Sequence, residues 1–364
     1  MRGILYAISK EYAQHYKDSL KRRYEMGGLK NDERYKKLKD IYAAVQGSSL
    51  SNKVFYETYV NILMDNLYTI ELLSPNELEK IVSNDDASLY KEFYDKNLKK
   101  LLSETLTVNG AERKFFDHVV KALLYDDLRD IVLPIYKEMG IKACVYCNAQ
   151  YISIFRYFDG EKGRIQVCGT CELDHYYDKA TWPCFAISFY NLIPSCSKCN
   201  NIKRNNQLKF KLYTNDPIEI SPFVFSLDDE SLARYLLSHQ SNSVEILFNP
   251  SSYLLNKKYY TPQRSADEYD NDFQECCKLH KEILHITELY NSHRDIVEKM
   301  ILRYRSLTKS YKDQLLKMYE KIDAHINMSY EEFLYGFIDS PNRIHEEPFS
   351  KLKQDVFNQI DDCI

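Results

Sequence analysis

Six of the ten cysteines fall into three C-x-x-C pairs, Cys144/Cys147, Cys168/Cys171 and Cys196/Cys199. The N-terminus, MRGILYAISKEYAQ, lacks the apolar core of an export signal, so such close thiols point to metal or redox chemistry rather than a disulfide framework. The outer pairs, Cys144-Val-Tyr-Cys147 and Cys196-Ser-Lys-Cys199, supply four thiolates, the closed tetrahedral set that structural zinc prefers. They are separated by 48 residues (148–195), more than a zinc ribbon usually has, so this zinc would pin two distant loops together. Disulfide exchange by either pair is the competing reading, and no βαβ pattern follows them to support it. Cys168/Cys171 reads as a chance or accessory pair, and Cys184, Cys276, Cys277 and Cys363 as packing residues.

Between the outer pairs run Glu172-Leu-Asp174-His175-Tyr-Tyr and then Ser188-Phe-Tyr-Asn191-Leu-Ile-Pro-Ser-Cys196. Directly after comes Cys199-Asn200-Asn201-Ile-Lys203-Arg204. This order, an Asp-His pair, an Asn-Leu step, then C-x-x-C followed at once by Asn and a nearby Lys, resembles the HNH endonuclease family. The likeness covers about 60 residues, from Cys144 to Lys203. Beyond the motif, the phrase Phe-Ala-Ile-Ser-Phe-Tyr-Asn-Leu-Ile-Pro-Ser-Cys is similar to standalone bacterial HNH proteins of anti-phage defence, such as the HNH partner of Septu-type systems.

The resemblance implies a β-hairpin and helix around one divalent ion, the ββα-metal arrangement, with strands at 172–177 and 191–195 and a helix at 197–206. It implies His175 as general base, Asp174 and Asn200 as ligands of a catalytic Mg²⁺ or Mn²⁺, and Asn191 as the residue that orients His175 or its loop. Where family members often carry a proline soon after the His, this chain has Tyr177-Asp178, which makes Asp178 a spare candidate ligand. It also implies an activity held in check by a partner, with an ATPase as the candidate.

Chemistry agrees with those roles. Phosphodiester cleavage needs a base near neutral pKa, which imidazole supplies, and a hard cation for the charge that builds on phosphate oxygens. Carboxylate and amide oxygens suit Mg²⁺ or Mn²⁺. Asp174 and His175 are adjacent, so on a strand they face opposite ways. They can serve one centre only where the strand ends or twists.

The whole chain carries Lys+Arg 49 against Asp+Glu 53, a net −4, so contact with a polyanion has to be local. Lys198, Lys203, Arg204, Lys209 and Lys211 stand together without an acid between them. Lys198, Lys203, Arg204 and Lys209 are therefore the candidate phosphate contacts, with nucleic acid as partner and DNA ahead of RNA. His15, His118, His239, His280, His285, His325 and His345 have no ligand pattern around them, and Tyr290-Asn291-Ser-His293-Arg294 reads as a helix cap.

These residues need elements to hold them. Residues 1–140 read as helical, with a capping box at Ser74-Pro75-Asn76-Glu77. Tyr151–Tyr157 and Arg164–Val167 read as strands joined by a hairpin, and a second strand pair is expected at 218–226 and 243–248. Ile296, Met300, Tyr304, Leu307, Tyr311, Leu315, Met318 and Ile322 form one apolar stripe of a single long helix, a candidate docking surface. The expected protein is α+β but predominantly α. A zinc-stabilised HNH module at 141–213 lies between helical regions at 1–140 and 214–364. With no run of about 18 apolar residues it is expected to be soluble and cytoplasmic. A non-catalytic zinc module that binds nucleic acid or protein is the alternative, and it has no use for Asp174, His175 and Asn200 together. The 31 tyrosines are conspicuous, and composition alone assigns them no task.

Overall fold

The computed structural model describes residues 4–25, 27–86, 88, 90–161, 163–214, 221–252, 266–322, 328–340 and 343–363. In chain order, a two-residue strand β1 (Ile4–Leu5) leads into helices α1 (Tyr6–Tyr24), α2 (Glu33–Gly47), α3 (Lys53–Ile70), α4 (Pro75–Val82) and α5 (Leu98–Leu102). A hairpin of β2 (Thr105–Val108) and β3 (Ala111–Lys114) precedes α6 (Phe115–Ala122) and α7 (Arg129–Glu138). The central segment holds β4 (Ile154–Asp159), β5 (Arg164–Gly169), β6 (Cys171–His175), β7 (Leu192–Cys196), α8 (Ser197–Lys203) and β8 (Tyr213–Thr214). Then follow β9 (Phe223–Leu227), α9 (Asp229–Ser238), β10 (Ile246–Pro250), α10 (Ala266–Leu284), α11 (Ile286–Asn291), α12 (Arg294–Ser306), α13 (Lys309–Ile322), α14 (Tyr330–Tyr335) and α15 (Ser350–Cys363). The architecture is α+β and predominantly helical, and every sheet among the described residues is two-stranded.

Local chemistry explains the ends of these elements. Ser74 closes its capping box, accepting from the Glu77 amide at 3.3 Å while Glu77 Oε2 accepts from the Ser74 amide at 2.7 Å. The expected long helix over 296–322 is instead two helices. Leu307 leaves helical geometry at φ −89°, ψ 87°, and Thr308 Oγ1 accepts the Tyr311 amide at 3.3 Å, capping α13 anew. The stripe is split with it: Ile296, Met300 and Tyr304 pack on the core, while Tyr311 and Met318 are exposed.

The tyrosines find their task in this packing. Tyr16 donates to Ile187 O at 2.6 Å, Tyr56 to Leu101 O at 2.8 Å, Tyr125 to Leu173 O at 3.0 Å and Tyr290 to Cys147 O at 2.7 Å. Each ring fills apolar space while its hydroxyl donates to a main-chain carbonyl of a distant segment. Two of these bonds cross the boundary expected near 141 and one the boundary near 214. Ser188 Oγ also donates to Ile70 O at 2.6 Å, the Phe189 amide to Glu71 O at 2.9 Å, and the Lys142 amide to His345 O at 2.7 Å. Beneath the first of these contacts lies a fully buried ion cluster, Arg34 between Asp32 (2.8 Å) and Glu71 (2.7 Å). Burial pushes the Glu71 carboxyl up to about 7.

Candidate metal centre and its ββα unit

Cys144 and Cys147 sit in a tight knuckle that ends on Asn148, a left-handed residue at φ 50°. Its side chain is spent on the distant C-terminal segment, donating to Ile344 O and accepting from the Lys351 amide. Cys196 ends β7 and caps α8, and Cys199 lies in the first turn of that helix. The four sulfurs are buried and all lie within 4.8 Å of one another. A tetrahedral zinc with bonds near 2.3 Å needs sulfurs about 3.8 Å apart, so the four cysteines fit a closed zinc site. Backbone amides already point at them: Cys196 N lies 3.2 Å from Cys144 Sγ, Ala149 N 3.4 Å from Cys147 Sγ and Cys199 N 3.5 Å from Cys196 Sγ. Hydrogen bonding to Cys144 drives the Cys196 thiol far down and the Cys199 thiol far up, the response of crowded thiols that a cation would relieve.

A strand–strand–helix unit contains the second cysteine pair. β6 and β7 pair antiparallel in the register His175↔Leu192, Asp174↔Ile193 and Cys171↔Cys196, and α8 follows at once. Strand, strand and helix therefore succeed one another as the resemblance requires, with α8 ending at Lys203 rather than 206. β6 ends at His175, and both Asp174 (opposite Ile193) and His175 (opposite Leu192) still lie in its ladder, so the strand ends just after the pair rather than between its two residues.

His175 is nearly buried, and its Nε2 lies 3.1 Å from Ala186 O. A carbonyl only accepts, so Nε2 carries the proton and Nδ1 keeps its lone pair. Burial pushes the ring's pKa down to about 3, so it is neutral but less basic than the near-neutral imidazole expected from sequence. Acting as a base, it would need a bound anion to offset the lost solvation. Tyr125, from the N-terminal region, lies against the ring with centroids 4.8 Å apart. Asn191 is fully buried and clamps the loop after His175: its Oδ1 accepts from Tyr177 N at 2.8 Å, and its Nδ2 donates to Tyr177 O and Phe185 O at 3.1 Å each. Asp178 caps the next turn through the Ala180 and Thr181 amides, so it is occupied as a structural acceptor rather than standing as a spare ligand.

Asp174 Oδ2 accepts from Tyr146 Oη at 2.6 Å and pairs with Lys203 Nζ at 2.9 Å. Tyr146 belongs to the Cys144–Cys147 knuckle, so the same turn that offers two sulfurs also holds the carboxylate. In the sequence, the only signal of Tyr146 is an aromatic placed inside a C-x-x-C. Asn200 stands one turn before Lys203 on α8, hence on the face directed to Asp174. It is half-buried.

The basic run resolves differently from expectation. Lys203, expected among the phosphate contacts, is 1% exposed and committed to Asp174 and to His175 O at 3.1 Å. Lys209 faces Glu275 at 3.6 Å and Lys211 faces Glu79 at 2.7 Å. Lys198 and Arg204 are exposed, with no ion pair among the described residues. Arg204 leaves the helix at φ 49°, so it does not share the Asn200 face. Of the histidines, His280 is fully buried and His118 Nε2 donates to Leu106 O at 2.9 Å, while His325 lies outside the described residues. Arg294 is held by Asn291 and Asn242, as a cap would be.

Comparison with known proteins adds one likeness. Over 150 residues, 41% of this chain, the sequence is 25% identical to the Septu protein PtuB of Bacillus thuringiensis. The match spans 43% of that protein's length. No family model matches the chain, and no solved structure matches it. No helix among the described residues is long and apolar enough to cross a membrane.

Proposed function

We propose that this protein is a metal-dependent endonuclease of the HNH type, cleaving nucleic-acid phosphodiester bonds as the effector of a bacterial anti-phage defence system. The observation that carries the reading is the tautomer imposed on His175. With Nε2–H held by Ala186 O, the Nδ1 lone pair is available to take a proton from water, beside an acidic residue at the end of a ββα hairpin. Asn191 keeps the loop that supplies that carbonyl in place. Asp174 through Oδ1, and Asn200 through its amide oxygen, would hold a Mg²⁺ or Mn²⁺ ion. When bound, such an ion supplies positive charge for the phosphate oxygens. The four cysteines would hold zinc for structure only, since zinc with four thiolates keeps no open position. Lys198 and Arg204 remain as exposed cations near α8 for the nucleic-acid backbone. The likeness to the Septu protein PtuB supports the defence role and a protein partner, for which a regulatory ATPase is the candidate.

The test is incubation of the purified protein with plasmid, single-stranded DNA and total RNA, with and without Mg²⁺ or Mn²⁺. Metal-dependent cleavage is expected, and His175→Ala should lower it by about 10²–10⁴-fold, the usual worth of a positioned base, with zinc content unchanged. Wild-type turnover in that variant would sink the assignment. Binding without cleavage in every metal would instead favour a non-catalytic zinc module.

A further inference from the structure

The Asp174 carboxylate is not simply waiting for an ion. One of its oxygens, Oδ2, already takes a phenol hydrogen bond from Tyr146 at 2.6 Å and the ammonium of Lys203 at 2.9 Å. All three side chains are buried. A buried lysine is costly unless paired, so the contact is part of the fold's design and not a surface accident. Lys203 is also the last residue of α8, and its Nζ makes a second bond to His175 O. Tyr146 has no freedom to follow Lys203, because the cysteine knuckle fixes its backbone on both sides. The carboxylate is therefore held by a rigid partner and a flexible one, and only the flexible one carries charge.

We propose that Lys203 is a built-in counter-cation that occupies the Asp174 site until a divalent ion displaces it, so that metal binding is coupled to release of the lysine. This rests on the reading of Asp174 as a ligand of the catalytic ion. An ion on Oδ1 would stand beside the Nζ charge across a single carboxylate, and two like charges there oppose each other. Tyr146 is neutral and stays, keeping the carboxylate in one rotamer. Lys203, on a stem of four methylenes, can turn away, and a phosphate oxygen is the natural acceptor for its freed charge. Metal and substrate then favour one another, since each relieves the repulsion that the other meets.

The experiment uses the zinc-loaded full chain and Mn²⁺ alone, with free Mn²⁺ read from its electron paramagnetic resonance signal. Lys203→Met should bind Mn²⁺ roughly tenfold more tightly than wild type, the size of effect one neighbouring charge has on an ionisable site. Asp174→Asn should abolish the binding. A second measurement avoids reliance on any variant's folding. In the wild-type protein, acylation of Lys203 followed by peptide mass spectrometry should be negligible without Mn²⁺ and rise at saturating Mn²⁺. Asp174-dependent Mn²⁺ binding with unchanged Lys203 reactivity, or unchanged affinity in Lys203→Met, would overturn the counter-cation role and leave the nuclease reading standing. Equal Mn²⁺ binding in wild type and Asp174→Asn would remove both.

Discussion

The three C-x-x-C pairs have the same spacing and two different fates. Cys144/Cys147 and Cys196/Cys199 are wound into a knuckle and a helix start, which turn both sulfurs of each pair inward. Cys168 and Cys171 instead lie on consecutive strands of different sheets, Cys168 opposite Phe155 in β5 and Cys171 opposite Cys196 in β6. Cys168 is exposed and Cys171 buried. Burial raises the Cys171 thiol to about 11, the behaviour of an inert packing thiol. A shared spacing therefore defines a metal site only when the backbone between the cysteines curls, because an extended chain sends the two sulfurs apart.

The sharpest way to break this comparison is Cys196→Ser against Cys168→Ser. The first should abolish zinc binding and remove folding free energy on the order of 10 kcal/mol, as small thiolate zinc sites contribute. The second should keep one zinc and a melting temperature near wild type. Elemental analysis and thermal melts decide it; equal losses, or two zinc ions per chain, would show that Cys168/Cys171 has a metal of its own.

Acid should act on both the metal thiolates and the buried imidazoles, and a variant can separate them. His280 is fully buried between Phe210 and Phe223, and burial pushes its pKa down from 6.5 to about 3. The unfolded chain then takes up this proton first as pH falls. Stability from His280 is complete above about pH 6.5 and is lost as pH falls toward 3, amounting to about 2 kcal/mol at pH 5. Denaturant titrations at pH 7.5 and 5 should show His280→Phe losing about that much less than wild type. An identical loss in both proteins would assign the acid sensitivity to the zinc thiolates instead.

The smallest effect expected is that of Tyr146→Phe, which keeps the ring and removes only the bond to Asp174. Zinc content should stay at one per chain, with stability reduced by about 1 kcal/mol, the net worth of a buried hydrogen bond. Loss of zinc in this variant would mean that the knuckle depends on Asp174 as much as Asp174 depends on it.

Much of the candidate site is built from short-range structure, and its element settings are legible in the sequence for that reason. Asp174-His175 lie on a strand and Cys199-Asn200 on a helix as expected, because a hairpin and a helix start are short-range structures, while Asn191, expected to open the second strand, ends a short 3₁₀ turn (Phe189–Asn191) just before β7. The Ser74 cap, the β4–β5 hairpin and the predominance of helix were legible on the same grounds. The long helix failed at Thr308, where a side-chain cap competes with helix continuation and periodicity carries no mark of it. The basic run also misled: charge in sequence gives no direction, and helix phase turned Lys203 inward while Glu275 and Glu79 arrived from elsewhere in the chain.

The sequence by itself determined the chemistry on offer: four thiols in two close pairs, an acid beside an imidazole, and amides at the right intervals. Tertiary structure alone decided which nitrogen of His175 carries the proton, because Ala186 O reaches it only through a loop fastened by Asn191 and by N-terminal residues around Glu71. It alone decided that Tyr146 and Lys203 share one carboxylate oxygen. Those contacts join residues 28 and 29 positions apart across a folded hairpin, at distances set by packing and not by spacing along the chain.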